Sequence, residues 1–156
     1  MKRNYQAEIG VDEKKVARAM LKNRPVSLKW TTEFCRELKN RTVKDAESLL
    51  HDVIEKKRFL PLRKYTMKVP HRRGNAIHKA KAGKYPKNTS EALLELLQNL
   101  KANADYKGLD SDKLIIRHMF ASTGFQRVTF QPQGRTSGKR RKKKSAHIEV
   151  IAVEGS

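Results

Sequence analysis

Lys113–Ala121 (KLIIRHMFA) and His147–Val153 (HIEVIAV) are two segments rich in β-branched and apolar residues. Residues of this kind favour extended backbone, so each segment predicts a strand. The chain between them holds a strand-like patch at Phe125–Gln131 and the turn-forming residues Pro132, Gly134 and Gly138. We therefore predict that the two strands form the base of one long antiparallel β-hairpin, whose arms occupy about residues 121–146.

The predicted hairpin is long for the size of the chain. Each arm has about 13 residues, and at about 3.3 Å per residue it projects about 40–45 Å. A lone two-stranded hairpin is at best marginally stable in water. The run Lys139–Lys144 (KRRKKK) also places six positive charges side by side on one arm. The hairpin is therefore expected to need a partner of opposite charge.

Charge is distributed unevenly along the chain. The 156 residues include 36 Lys and Arg against 16 Asp and Glu, a net charge of +20. No acid lies in the first cationic window, Lys56–Ser90, or in the second, Lys113–Ile148, which hold 12 and 10 basic residues respectively. The rest of the chain is close to neutral. Positive charge concentrated in this way predicts a polyanionic partner, with RNA or DNA as the first candidate.

The chain outside the hairpin predicts a small α+β body. A short strand is expected at Val16–Leu21 and a first helix at Thr31–Lys39. A second helix begins at the capping pattern Thr42–Asp45 and presents one apolar face as far as Ile54. A third helix begins near Asn88 or Thr89 and stops at Gly108. The predicted fold is a small antiparallel sheet packed on three helices, with the long hairpin protruding from it.

The chain is expected to form a single domain. Its body covers about residues 16–120 and 147–153, and the extended hairpin covers about 121–146. A basic connection at 56–87 lacks periodicity and is punctuated by prolines and glycines. It exceeds the roughly 15 residues usual for a loop without regular structure, and such long loops are either functional or disordered. We predict that a partner orders this connection.

Composition argues against several classes of function. One cysteine, Cys35, excludes an internal disulfide, and its place beside Phe34 indicates a packed residue rather than a nucleophile. No run approaches the roughly 18 apolar residues of a membrane span, and no apolar signal segment follows Met1. We therefore expect a cytoplasmic protein that does not bind membranes.

The cationic windows contain no set of residues that indicates catalysis. They lack acids, so they hold neither a carboxylate pair nor a Ser/His/Asp set. His71 and His78 have no third metal ligand at suitable spacing. Gly134–Lys139 resembles a phosphate-binding loop, but it is one residue short and Arg140 stands where Ser or Thr is required. We predict no enzymatic activity, no cofactor and no metal.

Three functions remain open from the residues alone. The first is a structural RNA-binding protein, in which Tyr65, Tyr85, Phe125 and Phe130 are placed to stack on unpaired bases; for Phe125, packing at the hairpin base is the alternative. The second is a DNA-binding or chromatin-type protein, although the third helix carries acids rather than an outward basic face. The third is an RNA-processing enzyme, which would need acids or a histidine pair near the basic windows.

Four motifs that follow one another in order resemble a known family. They are Asp45–Lys57 (DAESLLHDVIEKK), His71–Gly74 (HRRG), Ala102–Leu109 (ANADYKGL), and Gly134-Arg135 followed by His147–Val150 (HIEV). Together they are similar to the large-subunit ribosomal protein L-twenty-two family in its archaeal and eukaryotic form, called L-seventeen in eukaryotes. The long basic connection before the third helix is typical of that form.

The resemblance implies a structural, non-catalytic constituent of the large ribosomal subunit that binds its rRNA and supports its assembly. It implies a cytoplasmic monomer within the ribosome, with rRNA, neighbouring ribosomal proteins and the nascent peptide as partners. The hairpin tip, which lines the peptide exit tunnel in this family, corresponds to Gln131, Pro132, Gln133, Gly134 and Arg135. The residues expected to bind rRNA are Arg63, Lys64, His71, Arg72, Arg73, Lys79, Lys81, Lys84, Lys87, Arg127, Arg135, Lys139, Arg140, Arg141, Lys142, Lys143 and Lys144.

Overall fold

The computed structural model describes residues 5–7, 9–77, 81–132 and 138–155. These residues form three α-helices and eight strands, so the α+β class is confirmed. The elements in chain order are β1 (Val16–Arg24), α1 (Leu28–Leu38), α2 (Val43–Ile54), β2 (Arg58–Pro61), β3 (Asn75–Ala76), β4 (Gly83–Lys84), α3 (Lys87–Tyr106), β5 (Leu114–Thr123), β6 (Arg127–Pro132), β7 (Gly138–Lys143) and β8 (Ala146–Glu154).

An antiparallel sheet with strand order β1-β8-β5 forms the centre of the body. Val150 of β8 lies opposite Ala19 of β1 on one side and opposite Met119 of β5 on the other. The pairing of β5 with β8 confirms that these two strands form the base of a hairpin. β1 does not end at Leu21 as predicted, because it pairs with β8 again at Arg24 after a shift in register.

The helices cover one face of this sheet and enclose the main core. Every second residue of β8 points into that core, beginning with Ala146 and ending with Ala152. Phe34 of α1, Leu50 of α2 and Leu97 of α3 are fully buried against it. This packing follows from the predicted apolar faces, because each helix contributes a stripe of residues spaced by three and four.

The helix ends follow local sequence signals. Thr42 begins α2, and its Oγ1 accepts a hydrogen bond from the Asp45 backbone N–H at 3.1 Å, as the capping pattern predicts. Gly108 follows α3 with a φ of +74°, a conformation that glycine adopts without strain. α1 begins at Leu28 rather than at the predicted Thr31, so its first turn includes Trp30.

The basic connection contains regular structure that the sequence did not predict. β2 pairs with β3 in parallel and with β4 in antiparallel orientation, which forms a second small sheet. Phe59, Leu60 and Leu62 are buried, so this part of the connection packs on the body. The prediction of a connection without regular structure was wrong for these strands, because burial of their apolar side chains favours their packing on the body. Ordering of the rest of the connection by a partner stays a prediction.

The hairpin continues beyond the central sheet through β6 and β7, which pair from Arg127 with Lys143 to Pro132 with Gly138. Between the base and these arms, Gly124–Gln126 on one side face only Lys144–Ser145 on the other. This one-residue excess marks a break in the pairing between the central sheet and the arms. The predicted tip residues Gln133, Gly134 and Arg135 lie outside the described residues.

Candidate nucleic-acid interface

The arms of the hairpin present two faces of different chemistry. Because side chains alternate along a strand, the register places Arg127, Thr129 and Gln131 of β6 on one face. Their partners on β7, in the same order, are Lys143, Arg141 and Lys139. Four of these six side chains are cationic and the other two are polar. We call this the polar face.

The opposite face of the arms combines apolar and cationic side chains. Val128 and Phe130 of β6 lie opposite Lys142 and Arg140 of β7. Phe130 is 71% exposed, although removal of a phenyl ring from water is energetically favourable. We call this the aromatic face. Exposed apolar surface beside cations is typical of proteins that stack side chains on unpaired bases.

The cations of β7 have no counter-charge among the described residues. All six residues of β7 are exposed, and five of them are Lys or Arg. Within the described residues, no carboxylate lies within 4.0 Å of these five side chains. The Arg141 guanidinium donates to the side-chain amide oxygen of Gln131 at 3.0 Å. The arm therefore carries an uncompensated positive field that favours binding of a polyanion.

Asn23 braces the neck of the hairpin, where the arms leave the central sheet. Its φ of +54° places it in the left-handed region, which asparagine tolerates better than most residues. Its side-chain oxygen accepts a hydrogen bond from the Phe125 backbone N–H at 2.9 Å and lies 3.4 Å from the Ser145 hydroxyl oxygen. The Ser145 hydroxyl donates its proton to the Phe125 carbonyl at 2.6 Å. Sequence reasoning missed Asn23 and Ser145, because neither belongs to a charged or apolar pattern.

A recess of about 340 Å³ lies at this neck and is also basic. Its walls include Phe125, Arg127, Lys143 and Lys144, together with Pro25 from the turn between β1 and α1. Phe125 is 65% exposed, so it does not pack into the hairpin base. Of the two alternatives for this residue, the structure therefore favours an accessible ring beside three cations.

Two predicted residues of the first cationic window have acidic neighbours. The Arg63 guanidinium donates to the buried carboxylate of Glu37 at 2.8 Å, so its charge is balanced within the chain. The Lys87 ammonium lies 3.8 Å from a carboxylate oxygen of Glu91, one turn along α3. Arg63 thus fastens the connection to α1, while exposed Lys87 keeps only a weak surface pair.

The other predicted residues of this window lie at or near the surface. His71, Arg72, Arg73, Lys64 and Lys81 are exposed, and Lys84 is half-buried. The Arg72 guanidinium lies 5.7 Å from the centre of the Tyr85 ring, a cation–π distance. Lys79 and the second-window residue Arg135 lie outside the described residues.

A second recess, which we call the body recess, lies between α1 and the connection. Lys29 and Trp30 of α1 line it together with Lys64, Tyr65 and Lys84. Pro25, in the turn that joins β1 to α1, lines the neck recess, and Lys29, in the first turn of α1, lines the body recess.

Two reactive side chains of the body are buried, the Cys35 thiol and the Glu149 carboxylate. Cys35 is buried, and loss of hydration raises the pKa of its thiol to about 12, which keeps it protonated. Buried Glu149 accepts hydrogen bonds from the Gln6 backbone N–H at 3.0 Å and lies 3.0 Å from Nε2 of His118. Over the part of the chain that the structure describes, no group of three or more His, Cys, Asp or Glu could hold a metal ion.

Among the residues with described placement, none of the three α-helices is both long and apolar enough to cross a bilayer.

Comparison with known proteins gives consistent matches over nearly the whole chain. The family described as ribosomal protein L22p/L17e matches residues 19–153. The large ribosomal subunit protein uL22 of Archaeoglobus fulgidus is 38% identical over 141 residues, which cover 90% of each chain. The uL22 proteins of Methanococcus aeolicus and Sulfurisphaera tokodaii are 36% and 32% identical, and the matches cover 98% and 94% of this chain and 97% and 95% of theirs.

Proposed function

The chain belongs to the ribosomal protein L22p/L17e family and is a structural constituent of the large ribosomal subunit, and from this premise we propose that its two cationic windows bind the large-subunit rRNA. Family membership also supports the prediction that it is not an enzyme. We propose that the protein acts as a monomer within the ribosome, in contact with rRNA and neighbouring ribosomal proteins.

The observation that carries this proposal is the unpaired charge of β7. Five exposed cations lie on an arm that has no core of its own, and no described carboxylate balances them. Self-repulsion of this kind disfavours the ordered hairpin, whereas a polyanion converts the same charges into binding energy. We propose that rRNA on both sides of the arm is this polyanion.

The two faces of the hairpin support a division of roles. The polar face matches the chemistry of phosphate and sugar, because Lys and Arg are the usual partners of phosphate oxygens. The aromatic face matches unpaired bases, because Phe130 is exposed and base stacking tolerates any sequence. The hairpin then fills a crevice with phosphates on one side and unstacked bases on the other.

We further propose that the hairpin tip, Gln131–Arg135, lines the peptide exit tunnel and contacts the nascent peptide. The Gly134-Arg135 pair, which matches the family motif, supports the assignment, whereas Gln131-Pro132 departs from the basic and small residues usual before the tip. The position of Gln131 and Pro132 at the far end of the paired arms, away from the body, also supports the assignment.

The DNA-binding alternative finds little support in the helices. α3 is the longest helix, and its Glu95 forms an ion pair with Arg24 of β1, so it packs against the sheet as a structural element. Glu91 adds a further acid near its N-terminal end. A helix that reads the major groove presents side chains to base edges instead.

Deletion of the arms tests the proposal directly. Thr123 and Ala146 face each other in the register, so an Asn-Gly turn can replace residues 124–145 without disturbing the base of the hairpin. We expect the shortened chain to fold, because its core is intact, but to be lost from large subunits during a high-salt wash. Circular dichroism checks the fold, and sedimentation of tagged protein in native lysate measures occupancy. Normal occupancy by the shortened chain after the wash would contradict the proposal.

A further inference from the structure

The body recess has a composition that the hairpin does not explain. Its volume is about 290 Å³, close to the lower end of the roughly 300–1,000 Å³ found for small-ligand sites. Four of the nine residues that line it are lysines and none is an acid. Trp30 and Tyr65 add two aromatic side chains, and both are half-buried. Two of these residues, Lys29 and Trp30, lie outside both cationic windows, so the charge pattern did not reveal them.

The lysines of the recess are held near aromatic rings rather than carboxylates. The Nζ atoms of Lys29 and Lys64 lie 5.4 and 5.8 Å from the centre of the Tyr65 ring. The Nζ atom of Lys84 lies 5.7 Å from the centre of the Trp30 ring. Among described residues, no carboxylate lies within 4.0 Å of any of these three ammonium groups. They therefore remain available to an anion.

Buried carboxylates fix one wall of the recess in place. Glu33 is 1% exposed, and its Oε1 accepts the backbone N–H groups of Arg63 at 3.2 Å and Lys64 at 2.7 Å. The Arg63 side chain is held in turn by Glu37. Charged acceptors form the stronger class of hydrogen bond. The backbone that carries Lys64 is thus fastened to α1.

The opposite wall is fixed by strand pairing. Lys84 lies on β4 opposite Leu60 of β2, and Leu60 is fully buried. Both walls are therefore part of the folded body. A site whose walls are ordered in advance loses little conformational entropy when it binds a ligand.

We propose that the body recess binds one unstacked nucleotide of the large-subunit rRNA. The base lies against Trp30 and Tyr65, and Lys29, Lys64 and Lys84 contact the adjoining phosphates. Aromatic rings beside cations are how proteins capture splayed-out bases in RNA. This inference rests on the proposed function for the identity of the ligand, but it concerns a site on the body that is separate from the hairpin.

The chain provides its own probe for this site, because Trp30 is its only tryptophan. The full-length protein is titrated with an oligouridylate of about eight nucleotides, within the usual site size for single strands. A matched oligonucleotide that has the same backbone but no bases serves as the second ligand. We expect the first ligand to quench Trp30 fluorescence and the second to bind without comparable quenching. Equal quenching by both ligands, or quenching by neither, would overturn the proposal.

Charge removal tests the phosphate contacts of the same site. The triple variant Lys29→Ala, Lys64→Ala and Lys84→Ala is compared with the control Lys14→Ala, Lys39→Ala and Lys44→Ala. The control lysines are exposed and lie outside the cationic windows. The slope of the logarithm of affinity against the logarithm of salt concentration has a magnitude of about 0.7 for each phosphate contacted on a single strand. The recess variant should therefore lower that magnitude by about 2. An equal effect of the two variants would refute the assignment.

The hairpin variant Lys139→Gln, Arg141→Gln and Lys143→Gln separates this proposal from the proposed function. If it loses affinity for large-subunit rRNA while no ligand quenches Trp30 in a base-dependent way, the recess proposal fails and the proposed function stands. If base-dependent quenching occurs while the hairpin variant binds rRNA as tightly as the unchanged chain, the recess proposal stands and the hairpin assignment fails.

Discussion

Neutralising one face of the hairpin should change the salt dependence of rRNA binding by a predictable amount. Lys139, Arg141 and Lys143 lie on the polar face, are exposed and have no described carboxylate partner. If each contacts one phosphate, their replacement by Gln lowers the logarithmic salt slope by about 2.1–2.7. Between about 50 and about 200 mM salt, the affinity of the unchanged chain should then fall about 20- to 40-fold more than that of the variant.

The assay is equilibrium binding of the full chain to large-subunit rRNA over a series of KCl concentrations. The matched control replaces Lys14, Lys39 and Lys44 by Gln, because these exposed lysines carry the same total charge outside the cationic windows. The control should leave the slope nearly unchanged. Equal slopes for the hairpin variant and the control would refute the reasoning, because the binding would then depend on net charge rather than on contacts of this face.

Three further predictions concern the folded body. Asn23→Ala removes the acceptor of the Phe125 N–H at the hairpin neck and should lower the free energy of unfolding by about 1 kcal/mol in urea titration; an unchanged midpoint would contradict the bracing role. Gly83→Ala would place a Cβ 2.7 Å from the Leu60 carbonyl oxygen, so we expect a loss of about 1–3 kcal/mol in the same assay, and full stability would refute this close approach. Folding raises the pKa of Cys35 from 9.0 to about 12, so above pH 9.0 the folded chain retains a proton that the unfolded chain loses. The free energy of unfolding should therefore fall as pH rises above 9.0, and Cys35→Ala should reduce this fall. Urea unfolding at several pH values tests this prediction.

Long, periodic or strongly charged segments could be predicted from the sequence. The apolar face of α2 and its Thr42 cap predicted that helix closely, because both signals are local. β5 and β8 were predicted from their β-branched composition, and their pairing followed from the turn-rich chain between them. The unpaired charge of β7 was visible as the run Lys139–Lys144. These features depend on residues that are close together in the sequence, so the sequence alone is enough to predict them.

The features that were missed depend on contacts between distant residues. β2, β3 and β4 are two to four residues long, too short to show a period, and they are ordered by burial of Phe59 and Leu60. Asn23 braces the hairpin neck across a separation of 102 residues from Phe125. From the sequence, Glu33 is simply an acidic residue within a predicted helix. The fold shows that its carboxylate is buried and accepts hydrogen bonds from backbone N–H groups of the basic connection. Such roles arise from tertiary geometry.

Site-directed cleavage of rRNA from the hairpin tests the central claim most directly. Cys35 is buried with a raised thiol pKa, so a second cysteine introduced at exposed Gln131 can be labelled selectively with a tethered iron reagent. A cysteine at exposed Lys44 of α2 is the matched control. In assembled large subunits, we predict strong cleavage of the large-subunit rRNA from position 131 and weaker cleavage from position 44. Cleavage from position 131 that does not exceed the control would contradict a hairpin embedded in rRNA.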